Sequence, residues 1–331
     1  MRFAVPATGV KSVNGSVYVT INDVGACRVS VFKGDDVEDV VSLYGRPCTL
    51  PWASREGLLV SCGEALYLVL GNEAKPVLRA KAGNWFWHAV EGDGRIFVHE
   101  YGQSPTGIYA TEDLESFRKV STNVDVDPRS KHFHYLAFDD SRGLLIATLG
   151  DGNVVRVAVS QDYGHTWRPL YKGPWQFVPV LVDGDKIVFG FDSGIAKGGV
   201  GVYDIERNEW SFVFLKSLSH RRAQFASLKK LGNYYIGCLG RPTAIVVSRD
   251  LRHWHLLYLN SSALEYNHFV DVEPWREKVV AVTGKEILVF ELGDVERAFE
   301  EKPFLTLYRA YLDRLKGLAF KIKRIKWILE P

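Results

Sequence analysis

Histidines, glutamines and carboxylates recur in this 331-residue chain at spacings that would bring them to one place. His134, Gln176, Gln224 and His268 each stand 11 residues before the start of a short apolar stretch, and His88 stands eight before another. Glu100, Asp151, Asp192 and Arg241 fall at or just past the ends of four of these stretches, with Tyr101, His132, Arg221, Arg222 and Tyr266 beside the set. Three chemistries suit these residue types. Paired carboxylates serve as general acid and base or as nucleophile, which makes Glu100, Asp151 and Asp192 the catalytic candidates. Arg241, Arg222, Tyr101, Gln176 and Gln224 are the candidates for holding a substrate, the arginines by bidentate contact with an anionic group. Neutral imidazoles of His88, His134 and His268, with a glutamine or carboxylate, are candidate ligands for a divalent ion that would activate water or acidify a carbon next to a carboxylate.

The elements that must position these groups repeat. Strand-like runs start at Val17, Leu58, Ile96, Leu145, Ile187, Tyr235 and Val279, spaced by 41, 38, 49, 42, 48 and 44 residues. Several follow a tight-turn signal such as Asn14-Gly15, Asp93-Gly94 or Asp183-Gly184. Short strands at a period in the forties predict an all-β chain folded as a β-propeller. Seven units imply seven blades; six is the alternative, if the first unit lends strands to close the last. In a propeller, the starts of the innermost strands and the ends of the next strands meet around one mouth of the central channel.

A second landmark keeps the same period. Ser160-Gln-Asp162-Tyr-Gly164-His-Thr166-Trp167 has looser copies around Asp113, Asp204 and Asp250, at steps of 49, 42 and 46 residues. Such a segment makes a self-satisfied turn: Ser and Asp side chains accept backbone N–H groups, Gly permits positive φ and Trp packs the hairpin. With His132-Phe-His134 and Gly150-Asp151, this pattern resembles the sialidase-like family of Asp-box (BNR-repeat) β-propellers, most clearly over residues 84–260. The resemblance implies a structural role for Asp162 and its copies, on the face opposite the active site, and a carbohydrate ligand at the mouth. It implies a glycoside hydrolase-like activity if the protein is an enzyme. A metal-dependent, polysaccharide lyase-like use of the His/Gln set and a non-catalytic interaction propeller are the alternatives. A true sialidase is not expected: the nearest string to an Arg-Ile-Pro motif is Arg2-Phe-Ala-Val-Pro6, and no Tyr-Glu nucleophile pair stands out. Trp52, Trp85, Trp87, Trp175 and Tyr266 are candidates for stacking on sugar rings.

Composition sets the bounds. Apolar residues are 47 %, charged residues 24 % and the net charge +2, an ordinary globular mix with no overall basic excess for nucleic acid. No uncharged run approaches the ~20 residues of a membrane-spanning helix. Met1 to Gly15 shows no secretory-signal pattern, so a cytoplasmic protein is expected. Cys27, Cys48, Cys62 and Cys238 form no Cys-x-x-Cys pair and are expected as buried apolar side chains rather than disulfides or zinc ligands. After Pro303 the apolar period changes to that of a helix, from Tyr308 through Leu312, Leu315, Ile322 and Ile325 to Leu329, with a basic opposite side. The expected organisation is therefore a propeller over 1–303 and a basic amphipathic helix over 304–331, packed across the propeller with its charged side to water or, alternatively, meeting a membrane surface or a partner protein.

Overall fold

The computed structural model describes residues 1–33, 36–151, 155–173, 175–192, 198–215, 223–260, 267 and 270–309. After the short β1 (Arg2–Phe3), the chain runs as successive antiparallel meanders. The first is β2 (Ala7–Val13), β3 (Ser16–Asp23), β4 (Ala26–Lys33) and β5 (Asp36–Tyr44). The second is β6 (Cys48–Ala53), β7 (Leu58–Cys62), β8 (Ala65–Leu70) and β9 (Glu73–Arg79). The third is β10 (Trp85–Gly92), β11 (Arg95–Tyr101), β12 (Gly107–Thr111) and β13 (Arg118–Thr122), followed by the single turn α1 (Asn123–Val126). The fourth is β14 (Phe133–Asp139), β15 (Leu144–Leu149), β16 (Val155–Ser160) and β17 (Arg168–Lys172). Then come β18 (Phe177–Asp183), β19 (Lys186–Phe191), β20 (Gly199–Asp204) and β21 (Glu209–Leu215). They are followed by β22 (Gln224–Leu231), β23 (Tyr234–Arg241), β24 (Thr243–Ser248) and β25 (His253–Asn260). β26 (Asp271–Trp275), β27 (Lys278–Val282) and β28 (Ile287–Glu291) take β1 as their fourth strand, and α2 (Leu292–Ala298) and β29 (Leu305–Tyr308) end the described chain.

The arrangement is propeller-like. The first strands β2, β6, β10, β14, β18, β22 and β26 pack each on the next, and β26 packs back on β2, closing a ring around a channel. Every strand expected from the repeat is present: the runs starting at Val17, Leu58, Ile96, Leu145, Ile187, Tyr235 and Val279 lie in β3, β7, β11, β15, β19, β23 and β27. The turns feeding them behave as their residues dictate, with Asn14, Gly15, Asp93 and Gly94 all at positive φ. Apolar side chains fill the wedges between neighbouring meanders, as where Phe225 and Trp254 meet Val188 and Val200, or where Trp275 and Val280 meet Ile21 and Phe32. Full burial of such a side chain contributes about 1.5–3 kcal/mol, and these wedges are the main store of stability.

The hydrogen bonding corrects the expected count of seven separate blades, and equally the alternative of six. Five four-stranded sheets stand alone, while β18–β21 and β22–β25 belong to one nine-stranded sheet. The cause is β29, which pairs Phe214 with Tyr308 and Leu215 with Leu307 on one side, and His253 with Thr306 and Trp254 with Leu305 on the other. The helix expected from residue 304 is corrected over the same stretch. Leu305 and Leu307 are buried while Thr306 and Tyr308 are not, the alternation of a strand. The remainder of the expected helix, 310–331, lies outside the described residues.

A second correction concerns the cysteines. Cys62 and Cys238 are free and buried as expected, but Cys27 and Cys48 form a disulfide that ties β4 to β6 of the next sheet. Among the described residues no helix is long and apolar enough to cross a membrane.

Candidate functional site

The four inner strands β10, β14, β18 and β22 begin at one mouth of the channel, and backbone pairing sets what they present there. Trp85 pairs with Tyr101 and Gln224 with Arg241. The Gly150 N–H donates to the His132 carbonyl and the Asp192 N–H to the Gln176 carbonyl, both at 2.9 Å. The rim residues at the strand starts are thus Trp85, His132, Gln176 and Gln224, and at the returning ends Tyr101, Asp151, Asp192 and Arg241. The rim interlocks by one rule: the end of a second strand reaches the start of the next first strand. The Tyr101 ring lies 4.3 Å from the His132 ring, Gln176 Nε2 donates to Asp151 Oδ1 at 3.1 Å, and Gln224 Nε2 donates to Asp192 Oδ1 at 3.4 Å.

Below the rim, β10 and β14 each carry a register shift, between Phe86 and His88 and between Phe133 and Tyr135. The extra residues are Trp87 and His134, and a bulge of this kind re-aims a side chain. Trp87 stands edge-on to Tyr101 with ring centres 4.5 Å apart, and Trp85 lies 4.9 Å from the same Tyr101 ring. The result is an aromatic shelf of Trp85, Trp87 and Tyr101, continued by His132 and His134 whose rings are 5.2 Å apart.

Electrostatics at the mouth follow from burial. The Tyr101 phenol is pushed up to about 12, by desolvation first and then by the facing Asp151 and Asp192, so it stays a hydrogen-bond donor. His132 and His134 are lowered chiefly by burial, His134 to about 3, and both rings are neutral at physiological pH. Burial alone would raise the Asp151 carboxyl, but the Gln176 amide first and then the Lys131 charge hold it below its ordinary value. The buried Arg156 steadies this side: Nε donates to the Gly173 carbonyl at 3.1 Å, and Nη1 reaches the Gly150 carbonyl at 3.4 Å and Gln176 Oε1 at 3.5 Å. An amide whose oxygen faces a guanidinium presents its NH₂ to Asp151.

Not all the expected residues assemble here. Asp151, Asp192, Tyr101, Gln176, Gln224 and Arg241 do. Glu100 does not: it is 2 % exposed and turned into the sheet. Its Oε1 accepts the Lys81 N–H at 2.9 Å and Asn84 Nδ2 at 2.8 Å, and its Oε2 accepts the Gly107 N–H at 3.1 Å and the Tyr109 hydroxyl at 3.4 Å. A carboxylate with its lone pairs so occupied holds a loop and has no capacity left for chemistry. His88 also leaves the set. It pairs with His99, as Tyr135 pairs with Thr148 in the next sheet, so it lies deeper in the channel than His134 and stacks on Tyr135. There it borders a cavity of about 50 Å³ with Thr8, Lys11, Thr49, Ser227 and Asp271. Asp271 accepts Ser227 Oγ at 2.7 Å and lies 3.9 Å from Lys11 Nζ, with Lys229 and Glu273 paired at 3.3 Å nearby. His268, Arg221, Arg222 and Tyr266 lie outside the described residues. Among the described residues no three or more His, Cys, Asp or Glu come together as a metal site, so the proposed grouping of His88, His134 and His268 gains no support.

Of the stacking candidates, Trp85 and Trp87 are at the mouth. Trp175 is buried against Phe191 and Phe214, and Trp52 is buried with its Nε1–H donated to Glu91. The acidic turns lie away from the mouth, between β12 and β13, β16 and β17, and β24 and β25. In the second, Ser160 Oγ accepts the Gly164 N–H at 2.8 Å and Asp162 accepts both the N–H and the hydroxyl of Thr166 at 2.8 and 2.6 Å. These bonds hold the Asp162 carboxyl down to about 2. No family model matches the chain, and no curated protein matches it.

Proposed function

We propose that the channel mouth binds a carbohydrate, laid against the Trp85–Trp87–Tyr101 shelf and hydrogen-bonded by Asp151, Gln176, Asp192 and Gln224. The observation that carries this reading is the shelf itself. Two indole rings, each within 5 Å of the Tyr101 ring, stand beside two amide–carboxylate pairs. A sugar ring has an apolar face that packs on an aromatic ring and an equatorial girdle of hydroxyls that needs both donors and acceptors. Glycan-array screening followed by calorimetry tests it: wild type binds at least one oligosaccharide, and Trp85→Ala or Asp151→Asn weakens that binding about tenfold or more. A folded wild type that binds no glycan on the array contradicts the reading.

Processing of the bound glycan is a second reading, favoured by the two mouth carboxylates. Asp151 and Asp192 would share the acid and base or nucleophile roles on a glycosidic bond. Glu100 has no part in this version. Release of reducing ends from a bound oligosaccharide, abolished in Asp151→Asn and Asp192→Asn, separates an enzyme from a binding module.

Kinship with the sialidase-like Asp-box propellers is supported by the three turns at Asp113, Asp162 and Asp250. In each, the residue after the aspartate is left-handed, Leu114, Tyr163 and Leu251 with φ of 64°, 60° and 62°. In each, the aspartate accepts backbone N–H groups of its own turn.

A further inference from the structure

The channel has a second mouth, at the ends of the same first strands. A pocket of about 340 Å³ opens there, walled by the wholly apolar stretches 51–53, 89–90, 136–138 and 180–182. Its floor is polar. Lys11, His88 and Tyr135 border both this pocket and the cavity of about 50 Å³ further in, and Lys229 and Glu273 complete the floor.

The two lysines of this floor stand in opposite circumstances. Lys229 Nζ lies 3.3 Å from Glu273 Oε2, and that carboxylate, ahead of every other influence, keeps the Lys229 ammonium charged. Lys11 has no such partner. Its one ion-pair contact among the described residues is Asp271 Oδ2 at 3.9 Å, beyond hydrogen-bond distance. Asp271 is engaged elsewhere, its Oδ1 accepting Ser227 Oγ at 2.7 Å and the Val272 N–H at 2.8 Å. Burial first, then the charge of Lys229, lowers Lys11 toward the neutral amine, and Asp271 and Glu273 oppose this without cancelling it. His88 is neutral, and the Tyr135 phenol is pushed up to about 12, chiefly by burial, so neither ring adds charge.

A desolvated amine beside a second cation is the setting in which lysine attacks carbonyl carbon. The apolar walls suit an uncharged ligand. With Lys11 neutral, Lys229 faces both Asp271 and Glu273, and no positive charge is left over for an anion. We propose that Lys11 captures a small apolar aldehyde at this second mouth as a Schiff base. The Lys11 nitrogen bonds to the carbonyl carbon, its two protons leave with the carbonyl oxygen as water, and a C=N bond remains. The site lies at the other end of the channel from the aromatic shelf and stands without the carbohydrate reading.

The test uses the full chain with benzaldehyde as the probe. Cyanoborohydride supplies hydride to reduce the C=N bond to a stable secondary amine, and peptide mass spectrometry maps the labelled lysines. In wild type, Lys11 is labelled about tenfold or more faster than the exposed Lys302, while Lys229 on the same floor stays unlabelled. From pH 9 to pH 7 an ordinary exposed lysine loses reactivity about tenfold per pH unit, and Lys11 loses less. Labelling of Lys11 no faster than that of Lys302, labelling of Lys229 ahead of Lys11, or a parallel loss with pH at Lys11 and Lys302 each overturns the proposal. All three readings are made on the wild-type chain, so none depends on a variant that folds.

Discussion

The imidazole of His88 lies stacked on the phenol ring of Tyr135, ring centres 3.8 Å apart and planes within 24°. The two residues hold matching positions in neighbouring sheets, so the stack bridges the wedge between β10 and β14. Burial first, then Lys11, His99 and Lys229, the lysines approaching from other sheets, drive the imidazole well below its ordinary pKa. His88 is a neutral packing residue of the channel wall, and the mouth's chemistry begins above it.

Four imidazoles, those of His88, His99, His132 and His134, are lowered, burial first in every case, His99 and His134 to about 3. Their unfolded values lie near 6.5, so below that pH the unfolded chain binds more protons than the folded one. Stability is therefore full above pH 6.5 and falls as pH drops toward the folded values. At pH 5, His99 and His134 each account for about 2 kcal/mol of lost stability. Urea midpoints measured between pH 7.5 and 5 will drop steeply in wild type and less in His99→Asn. Equal pH slopes in the two proteins contradict this assignment. The aspartates at 113, 162 and 250, held down to about 2, change protonation only below this range.

Glu100 is a loop anchor. Glu100→Ala leaves two N–H groups, an amide and a phenol without an acceptor and will cost about 3 kcal/mol or more. Glu100→Gln keeps one accepting oxygen, so it will fold and retain ligand affinity at the mouth. Loss of all mouth function in a folded Glu100→Gln would return this residue to the chemistry.

The Cys27–Cys48 bridge spans 21 residues of chain and links two neighbouring sheets. Restricting the unfolded chain over a loop of that length contributes about 3 kcal/mol in the chain-entropy account. Chemical unfolding with and without reductant will show a loss of that order, and Cys27→Ala will abolish the difference.

The strand β29 closes the gap between β21 and β25, with Leu305 and Leu307 almost wholly buried against Leu215, Trp254 and their neighbours. Leu305→Ala will destabilise the fold by about 2–5 kcal/mol. Hydrogen exchange will report it first in β21 and β25. A change within 0.5 kcal/mol, the size of an ordinary surface substitution, would mean that β29 is not part of the sheet in solution.

Much of this architecture was legible in the sequence. The runs from Val17 to Val279 all became second strands, because alternation and tight-turn residues act locally. Asp151, Asp192, Gln176 and Gln224 were placed by the same spacing. His88 and His134 were not, because counting residues from a hairpin assumes an unbroken ladder, and the register shifts at Phe86/His88 and Phe133/Tyr135 break it. The rim position belongs to Trp85 and His132 instead, one visible only as an aromatic, the other only as half of a His-x-His pair. Glu100 carried no sign of its partners, since Lys81, Asn84, Gly107 and Tyr109 converge on it only in three dimensions. The fused nine-stranded sheet depends on a four-residue strand whose apolar alternation is also compatible with the start of a helix.

The central claim is that the aromatic shelf at the mouth is a sugar platform. Calorimetric titration of the best array-selected oligosaccharide into wild type and Tyr101→Ala tests it most directly, because Tyr101 touches Trp85, Trp87 and His132 alike. The account predicts saturable binding at one site per chain and a loss of affinity of about tenfold or more in the variant. Undiminished binding by a folded Tyr101→Ala would contradict it.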